Sequence, residues 1–178
     1  GGAAYVTGWV LKNAGVSVEI GILAGGLAAA ALGWLVGLIA VKRSGIQFAM
    51  ITFAISQFIY FVLLQAPFTG GEDGMQRIPR AALFGFIDVT SSRSLYFVIL
   101  AFTVLSVAAF YRIVHSPFGE ILKAIRDNEA RVESLGFRPE RFKLTAFVLS
   151  AGMAGVAGGM KAVAFQIATL TDVSWQVS

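Results

Sequence analysis

Long uninterrupted apolar runs, rather than alternating or amphipathic positions, are the main pattern of this sequence. Residues 20–41 carry no charge, and at about 1.5 Å per residue such a helix crosses the roughly 30 Å hydrocarbon core of a bilayer. Further runs at 46–66, 95–111 and 144–170 have a similar character, the last interrupted only by a lysine. The pattern predicts an all-α protein, a polytopic transmembrane helical bundle with four spans.

Flanking residues bound these runs. Pro67 ends the second span. Because the second span starts only a few residues after the first ends, the two are expected to form a tight hairpin. Tyr96 and Tyr111 bracket the short third run as interfacial aromatics, and Arg112 can snorkel to the surface. Residues 1–11 are apolar but too short to span. We expect them to be the end of a helix that begins earlier, in a chain that is an internal part of a longer protein.

Composition also indicates a membrane environment. The chain of 178 residues is 57% hydrophobic and 13% charged, with a mean hydropathy of +0.76, whereas soluble domains are about one quarter charged. The net charge of +4 does not indicate nucleic-acid binding, because the basic residues flank apolar runs instead of forming one stripe. Nine of them fall in loops on one side of the predicted membrane and four on the other. This bias predicts that residues 112–143 are cytoplasmic and that the loop at 69–74 is outside.

Several kinds of chemistry are excluded by what the sequence lacks. Without cysteine there is no disulfide framework, thiolate metal site or cysteine nucleophile. His115 is the only histidine, so no metal site is expected. The chain has no Gly-x-x-x-x-Gly-Lys-Ser/Thr loop, so any ATP hydrolysis must come from another chain. We expect a protein that is not an enzyme and that holds no cofactor of its own.

The loop at 112–143 has a helical pattern of its own. Ser116 and Pro117 stand where an N-cap and a first helical residue are favoured, and Gly136 is placed to end the helix. Apolar residues recur between them at near-helical spacing, which predicts one amphipathic helix. Such a helix either rests on the lipid surface or docks a partner. Seven basic and five acidic residues in the loop favour docking, because a lipid-surface helix is more purely basic.

Short peptides in and around this loop carry a more specific signal. They are SPFG at 116–119, AIRDNEAR at 124–131, LG at 135–136, KLTAFVLS at 143–150, TGGEDG at 69–74 and RSGIQFAM at 43–50. Together they resemble the bacterial branched-chain amino-acid ABC transporter permeases. The resemblance implies a single permease domain over 1–178, in a multi-pass protein of the inner membrane that imports branched-chain amino acids.

The same resemblance implies partners and site residues. In this family the cytoplasmic loop seats in a groove of an ATPase subunit, and further implied partners are a second permease subunit and an extracytoplasmic substrate-binding protein. Gly136 lies seven residues after Glu129, one residue later than in the general ABC-importer pattern, so the register on the ATPase stays open. The residues implied to couple transport to ATP hydrolysis are Pro117, Phe118, Gly119, Ala124, Arg126, Asn128, Glu129, Ala130, Leu135 and Gly136.

Other functions remain open at this point. Relatives with the same scaffold carry urea or short-chain amides, and a structural or receptor-like membrane protein would not need the coupling motif at all. A membrane-embedded enzyme would need charged or nucleophilic residues grouped inside the spans, where Lys161 is the only charge.

Small and polar residues inside the spans have two interpretations each. The pairs Gly21/Gly25, Gly33/Gly37 and Gly155/Gly159 have the small-xxx-small spacing of close helix packing, with a hinge as the alternative. Gln57 belongs to a polar set in the second span that either lines a pathway or ties helices together. Lys161 either snorkels toward the outer interface or attracts a substrate carboxylate.

Overall fold

The structure is a computed structural model that describes residues 1–14, 17–42, 45–65, 75–76 and 92–168. Pro67, the TGGEDG peptide and the last ten residues of the chain lie outside this part, as does Arg43. The elements that it does describe are, in chain order, α1 (Gly2–Ala14), α2 (Val18–Ala40), α3 (Ile46–Gln65), β1 (Met75–Gln76), α4 (Ser92–Val114), α5 (Pro117–Asp127), α6 (Glu129–Ser134), α7 (Pro139–Phe165) and β2 (Ile167–Ala168).

Four of the described helices are long and apolar enough to cross a membrane: α2, α3, α7 and the part of α4 from Arg93 to Val114. The predicted all-α transmembrane bundle is confirmed. The bounds of α7 differ from expectation, since the helix begins at Pro139 rather than 144 and ends at Phe165 rather than 170. Hydropathy marks only the lipid-immersed part, whereas Pro139 starts the helix in the polar region, where its missing N–H costs nothing. Gln166 then stops the helix with a left-handed φ of 57°.

The core is built where α2 and α7 pack against each other along glycine-rich faces. A Cβ at Gly26 would lie 2.7 Å from Val156 Cγ2, and one at Gly33 would lie 2.5 Å from Ala151 Cβ. At Gly155 the added carbon would overlap the Cβ of Ala29. The two backbones are therefore as close as the missing side chains allow, which is the geometry that small-xxx-small spacing predicts.

Helix α1 completes this core as a third packed helix. Tyr5, Thr7 and Leu11 are buried, with exposed fractions of 1%, 0% and 2%. The Thr7 side chain fills the space left by two glycines, Gly25 of α2 and Gly159 of α7. All six glycines of the three predicted pairs are buried, so the packing interpretation is confirmed. The segment expected to be only the end of a helix is a structural part of the bundle.

Helices α3 and α4 lie at the edge of this bundle. In α3, and in α4 from Arg93 onward, no side chain is buried. Gly45, directly before α3, has a φ of 62°, and Phe48 at the start of α3 contacts Phe147 of α7 edge to face, with ring centroids 6.2 Å apart. Both helices therefore present large apolar faces, as lipid-facing or partner-facing spans do.

The strand pair ties two distant segments together at one end of the bundle. Met75 pairs with Ala168 and Gln76 with Ile167 in antiparallel register, and Met75 and Ala168 are buried in the same cluster as Tyr5. The sequence pattern predicts a loop at 75–76 and places 167–168 in the last span. Because the segment after α3 pairs with the segment after α7, both lie at the same end of the bundle, opposite α5 and α6.

Candidate docking segment

The corner between α4 and α5 is fixed by hydrogen bonds of the last turn of α4. Ser116 occupies the N-cap position of α5 and Pro117 its first helical position, as predicted. However, the Ser116 side chain does not cap α5. Its hydroxyl donates to the Ile113 carbonyl at 2.6 Å, and the Ser116 N–H donates to the same carbonyl at 3.2 Å, so both groups help to close the end of α4. His115 is exposed and stacks on Tyr111 at 4.1 Å.

Gly119 sets how closely α5 crosses the end of α4. A Cβ at this buried position would overlap the Val114 carbonyl and lie 2.9 Å from the Ile113 oxygen. These are backbone atoms of a helix end, so they cannot turn aside as a flexible side chain would. The glycine in SPFG is therefore required by the packing of α5 on α4.

The predicted single helix over 116–136 is wrong, because the helix is interrupted at Asn128. This residue is extended, with φ −160° and ψ 98°, and separates α5 from α6. Its N–H donates to the Ala124 carbonyl at 2.9 Å, and its side-chain Oδ1 accepts from the Arg131 N–H at 3.1 Å. Asparagine thus closes one helix and caps the next, a role it fills well because its side chain imitates a backbone acceptor.

The inner face of α5 and α6 is attached to α7. Ile125 and Val132 are 6% and 5% exposed and are the apolar anchors of the two helices. The Glu129 carboxylate accepts from Lys143 Nζ at 2.6 Å across the two elements. With both side chains partly exposed, this pair serves more to fix the position of α6 than to add stability.

Gly136 ends α6 for a conformational reason. Its φ is 87°, its N–H donates to Glu133, and the Phe137 N–H donates back to Val132 at 3.3 Å. This is a Schellman motif, in which the left-handed residue is normally glycine. A Cβ here would meet nothing within 4 Å, so the requirement concerns the backbone angle and not the available space.

The structure separates the predicted coupling residues that attach the segment to the spans from those that are exposed. Phe118 is partly buried and Gly119 is buried, so both serve the attachment to the spans. Pro117 is exposed at the corner with α4. The other seven are all exposed around the break at Asn128, and Leu135 is 70% exposed despite being apolar. We call this group the docking surface; it comprises Ala124, Arg126, Asn128, Glu129, Ala130, Leu135 and Gly136.

The two predicted pathway residues are not brought into one site. Lys161 lines a crevice of about 390 Å³ between α4 and α7, together with Thr103 and Ser106 of α4. Gln57, partly buried in α3, does not line that crevice. Because α7 ends at Phe165, Lys161 is about one turn from the helix end, closer to the membrane surface than a span reaching 170 would place it.

A groove that the sequence pattern did not predict lies beside the docking segment, by which we mean α5, α6 and the turn that follows them, residues 117–137. It occupies about 500 Å³ between α5, the turn after α6 and α7, and we call it the basic groove. One wall consists of Arg138, the N-cap residue of α7, and of Arg141, Phe142 and Thr145 in α7 itself. Their i, i+3, i+4, i+7 spacing is a helical stripe, which is the signal that would have shown these residues to share a face.

Comparison with known proteins agrees with the family resemblance of the peptides quoted above. A family model described as "Branched-chain amino acid transport system / permease component" matches residues 1–178. The chain belongs to this family. It is 33% identical over 156 residues, covering 75% of the chain, to the high-affinity branched-chain amino acid transport system permease protein LivM of Escherichia coli strain K12. The LivM protein of Salmonella typhimurium strain LT2 matches to the same extent.

These relatives are longer than the chain, which spans 37% of their length. No solved structure matches it. Family membership and the four spans together identify a multi-pass membrane protein of a transport-permease family.

Proposed function

We propose that this chain is part of the permease subunit of an ABC importer in a bacterial inner membrane. It moves branched-chain amino acids with energy from partner subunits that hydrolyse ATP. The observation that carries the proposal is the docking surface: a folded cytoplasmic segment whose family-like residues are exposed, although the segment is fixed to two spans from behind.

The attachments make this segment suited to coupling. Gly119 packs α5 on the end of α4, and the Glu129 to Lys143 pair joins α6 to α7. A partner that moves the docking surface therefore acts on two spans at once. A solvated connector would need neither the close crossing nor the helix break at Asn128.

The remaining roles belong to other subunits. The chain takes no cofactor, and ATP is bound by the ATPase subunits. Substrate comes from an extracytoplasmic binding protein at the end that holds the β1 and β2 pair. A second permease subunit completes the pathway, and the exposed apolar faces of α3 and α4 supply surface for it and for lipid.

A bulky residue on the docking surface tests the coupling proposal. Ala130 is exposed on α6, so Ala130→Trp should leave the protein in the membrane but prevent the ATPase subunit from binding. Glu140→Trp is the matched control, because Glu140 is exposed in the first turn of α7 outside the docking surface. Co-purification of the ATPase subunits and uptake of labelled substrate are measured in the intact transporter. Equal co-purification and uptake for both variants would contradict the proposal.

The substrate is tested separately. The two LivM relatives are described as branched-chain amino acid permeases, which supports leucine, isoleucine and valine over urea and short amides. In a strain lacking the transporter, the restored genes should give uptake of labelled leucine that excess unlabelled urea leaves unchanged. Uptake of urea but not of leucine would show that the substrate is urea or a short-chain amide instead.

A further inference from the structure

The basic groove has two cationic side chains and an aromatic wall. Its guanidinium groups belong to Arg138 and Arg141, and its rings to Phe118, Phe137 and Phe142. Phe142 contacts both other rings, with centroids 5.8 Å from Phe118 and 6.2 Å from Phe137. The groove therefore offers positive charge and apolar surface to the same occupant.

The charge of the groove is not neutralised within the chain. Among the described residues, Arg138 and Arg141 form no ion pair, whereas Arg126 and Lys143 each do. The nearest acids in sequence are Glu140, which does not line the groove, and Glu129, which is already held by Lys143. The first turn of α7 adds the positive end of its helix dipole. An anion placed between the two arginines would meet no competing carboxylate of the groove wall.

The position of the groove indicates what kind of anion this is. The apolar part of α7 begins at Leu144, and Arg141 and Arg138 lie three and six residues before it, which is about 4.5 and 9 Å along a helix. The headgroup region of one leaflet is about 5–8 Å thick, so Arg141 lies within it and Arg138 at its outer edge. The arginines are thus at phosphate level, and Phe142 and Thr145 continue the wall toward the acyl chains.

We propose that the basic groove binds the headgroup of an anionic phospholipid. The phosphate lies between Arg138 and Arg141, which are able to donate several N–H hydrogen bonds to it, and the upper acyl chain packs on the phenylalanine wall. The docking surface and this groove share only Gly136. The lipid therefore occupies the flank of the coupling segment, and its binding does not depend on the coupling proposal.

Native mass spectrometry of the intact permease, purified without its ATPase partners, measures this binding directly. Phosphatidylglycerol and phosphatidylcholine are added as matched probes that differ in headgroup charge. The test variant is Arg138→Gln with Arg141→Gln. The control is Lys123→Gln with Arg131→Gln, which removes the same charge from exposed sites on α5 and α6 outside the groove.

We expect the wild-type permease to retain phosphatidylglycerol in preference to phosphatidylcholine. The test variant should bind phosphatidylglycerol about thirty-fold more weakly, because each basic residue near an anionic lipid surface contributes about 1 kcal/mol. The control should bind as the wild type does. Should the test variant fail to fold, Arg138→Lys with Arg141→Lys keeps the charge and is expected to retain a preference for phosphatidylglycerol.

Three results would overturn the proposal. One is equal loss of phosphatidylglycerol in the test and control pairs, which would mean that charge alone attracts the lipid. Another is retention of phosphatidylcholine as strong as that of phosphatidylglycerol. The third is complete displacement of phosphatidylglycerol by millimolar inorganic phosphate, which would make the groove a site for a free anion.

Discussion

The three-helix core of α1, α2 and α7 and the segment of α5 and α6 both depend on glycine, for opposite reasons. At Gly155 in the core, an added Cβ would meet the Cβ of Ala29 and lie 3.1 Å from the Gly26 Cα. At Gly136 it would meet nothing, but the φ of 87° disfavours any other residue. The core needs glycine for room and the segment needs it for a turn. Packing is thus concentrated in the three-helix core, and the segment of α5 and α6 keeps its surface free.

The largest expected effect is in the core. Gly155→Ala places a methyl against backbone atoms of α2, and overpacking of this kind costs about 1–3 kcal/mol. We expect a lower melting temperature of the purified permease and less protein in the membrane fraction. Gly158→Ala is the control on the same helix, because its nearest atoms are 3.8 Å away or more. Equal stability of the two variants would show that α2 and α7 are not in close contact at Gly155.

A second, smaller effect is expected at the turn. Gly136→Leu forces a branched residue into the left-handed region at a cost of about 1–2 kcal/mol. Because the surrounding space is open, the protein should still reach the membrane. The end of α6 and Leu135 should shift, so that ATP hydrolysis by the intact transporter continues without uptake. Gly136→Asn, which tolerates this conformation better, should retain most uptake. Normal transport by the leucine variant would remove Gly136 from the coupling segment.

The smallest effect is expected for Lys161, at the end of the core farthest from the docking surface. We expect Lys161→Met to leave the KM for leucine uptake unchanged, because a lysine one turn from the helix end reaches the interface by snorkelling. The measurement is initial uptake rate against leucine concentration. A raised KM with normal protein abundance would instead assign Lys161, together with the crevice between α4 and α7, to the substrate pathway.

The spans were predictable because hydrophobic length is a strong local signal that lipid imposes on every crossing helix. The break at Asn128 was not predictable, because the apolar residues Ile125 and Val132 keep helical spacing across it. The helix ends there because Asn128 is extended and its side chain caps α6. Ser116 lies at the N-cap position as predicted, but the sequence does not show that its hydroxyl donates to the Ile113 carbonyl. Choices between such local hydrogen bonds cannot be resolved from propensity alone.

Long-range features were the least accessible. The contact of Thr7 with Gly25 and Gly159 joins three helices, and the pairing of Met75 with Ala168 joins segments far apart in the chain. In the docking segment, the family resemblance identified a group of residues without separating exposed from buried members. The partial burial of Phe118 and the burial of Gly119 against the neighbouring helices make that distinction.

The crossing at Gly119 has a mechanical consequence. With no space for even a methyl group between α5 and the last turn of α4, α5 cannot approach α4 any further, so a push toward that helix passes to it directly. α7 is held in the three-helix core, whereas α4 has no buried side chain from Arg93 onward and touches α7 only sparsely. Of the two spans to which the segment of α5 and α6 is attached, α4 is therefore the less tightly packed. We expect a force on this segment to displace α4 more readily than α7.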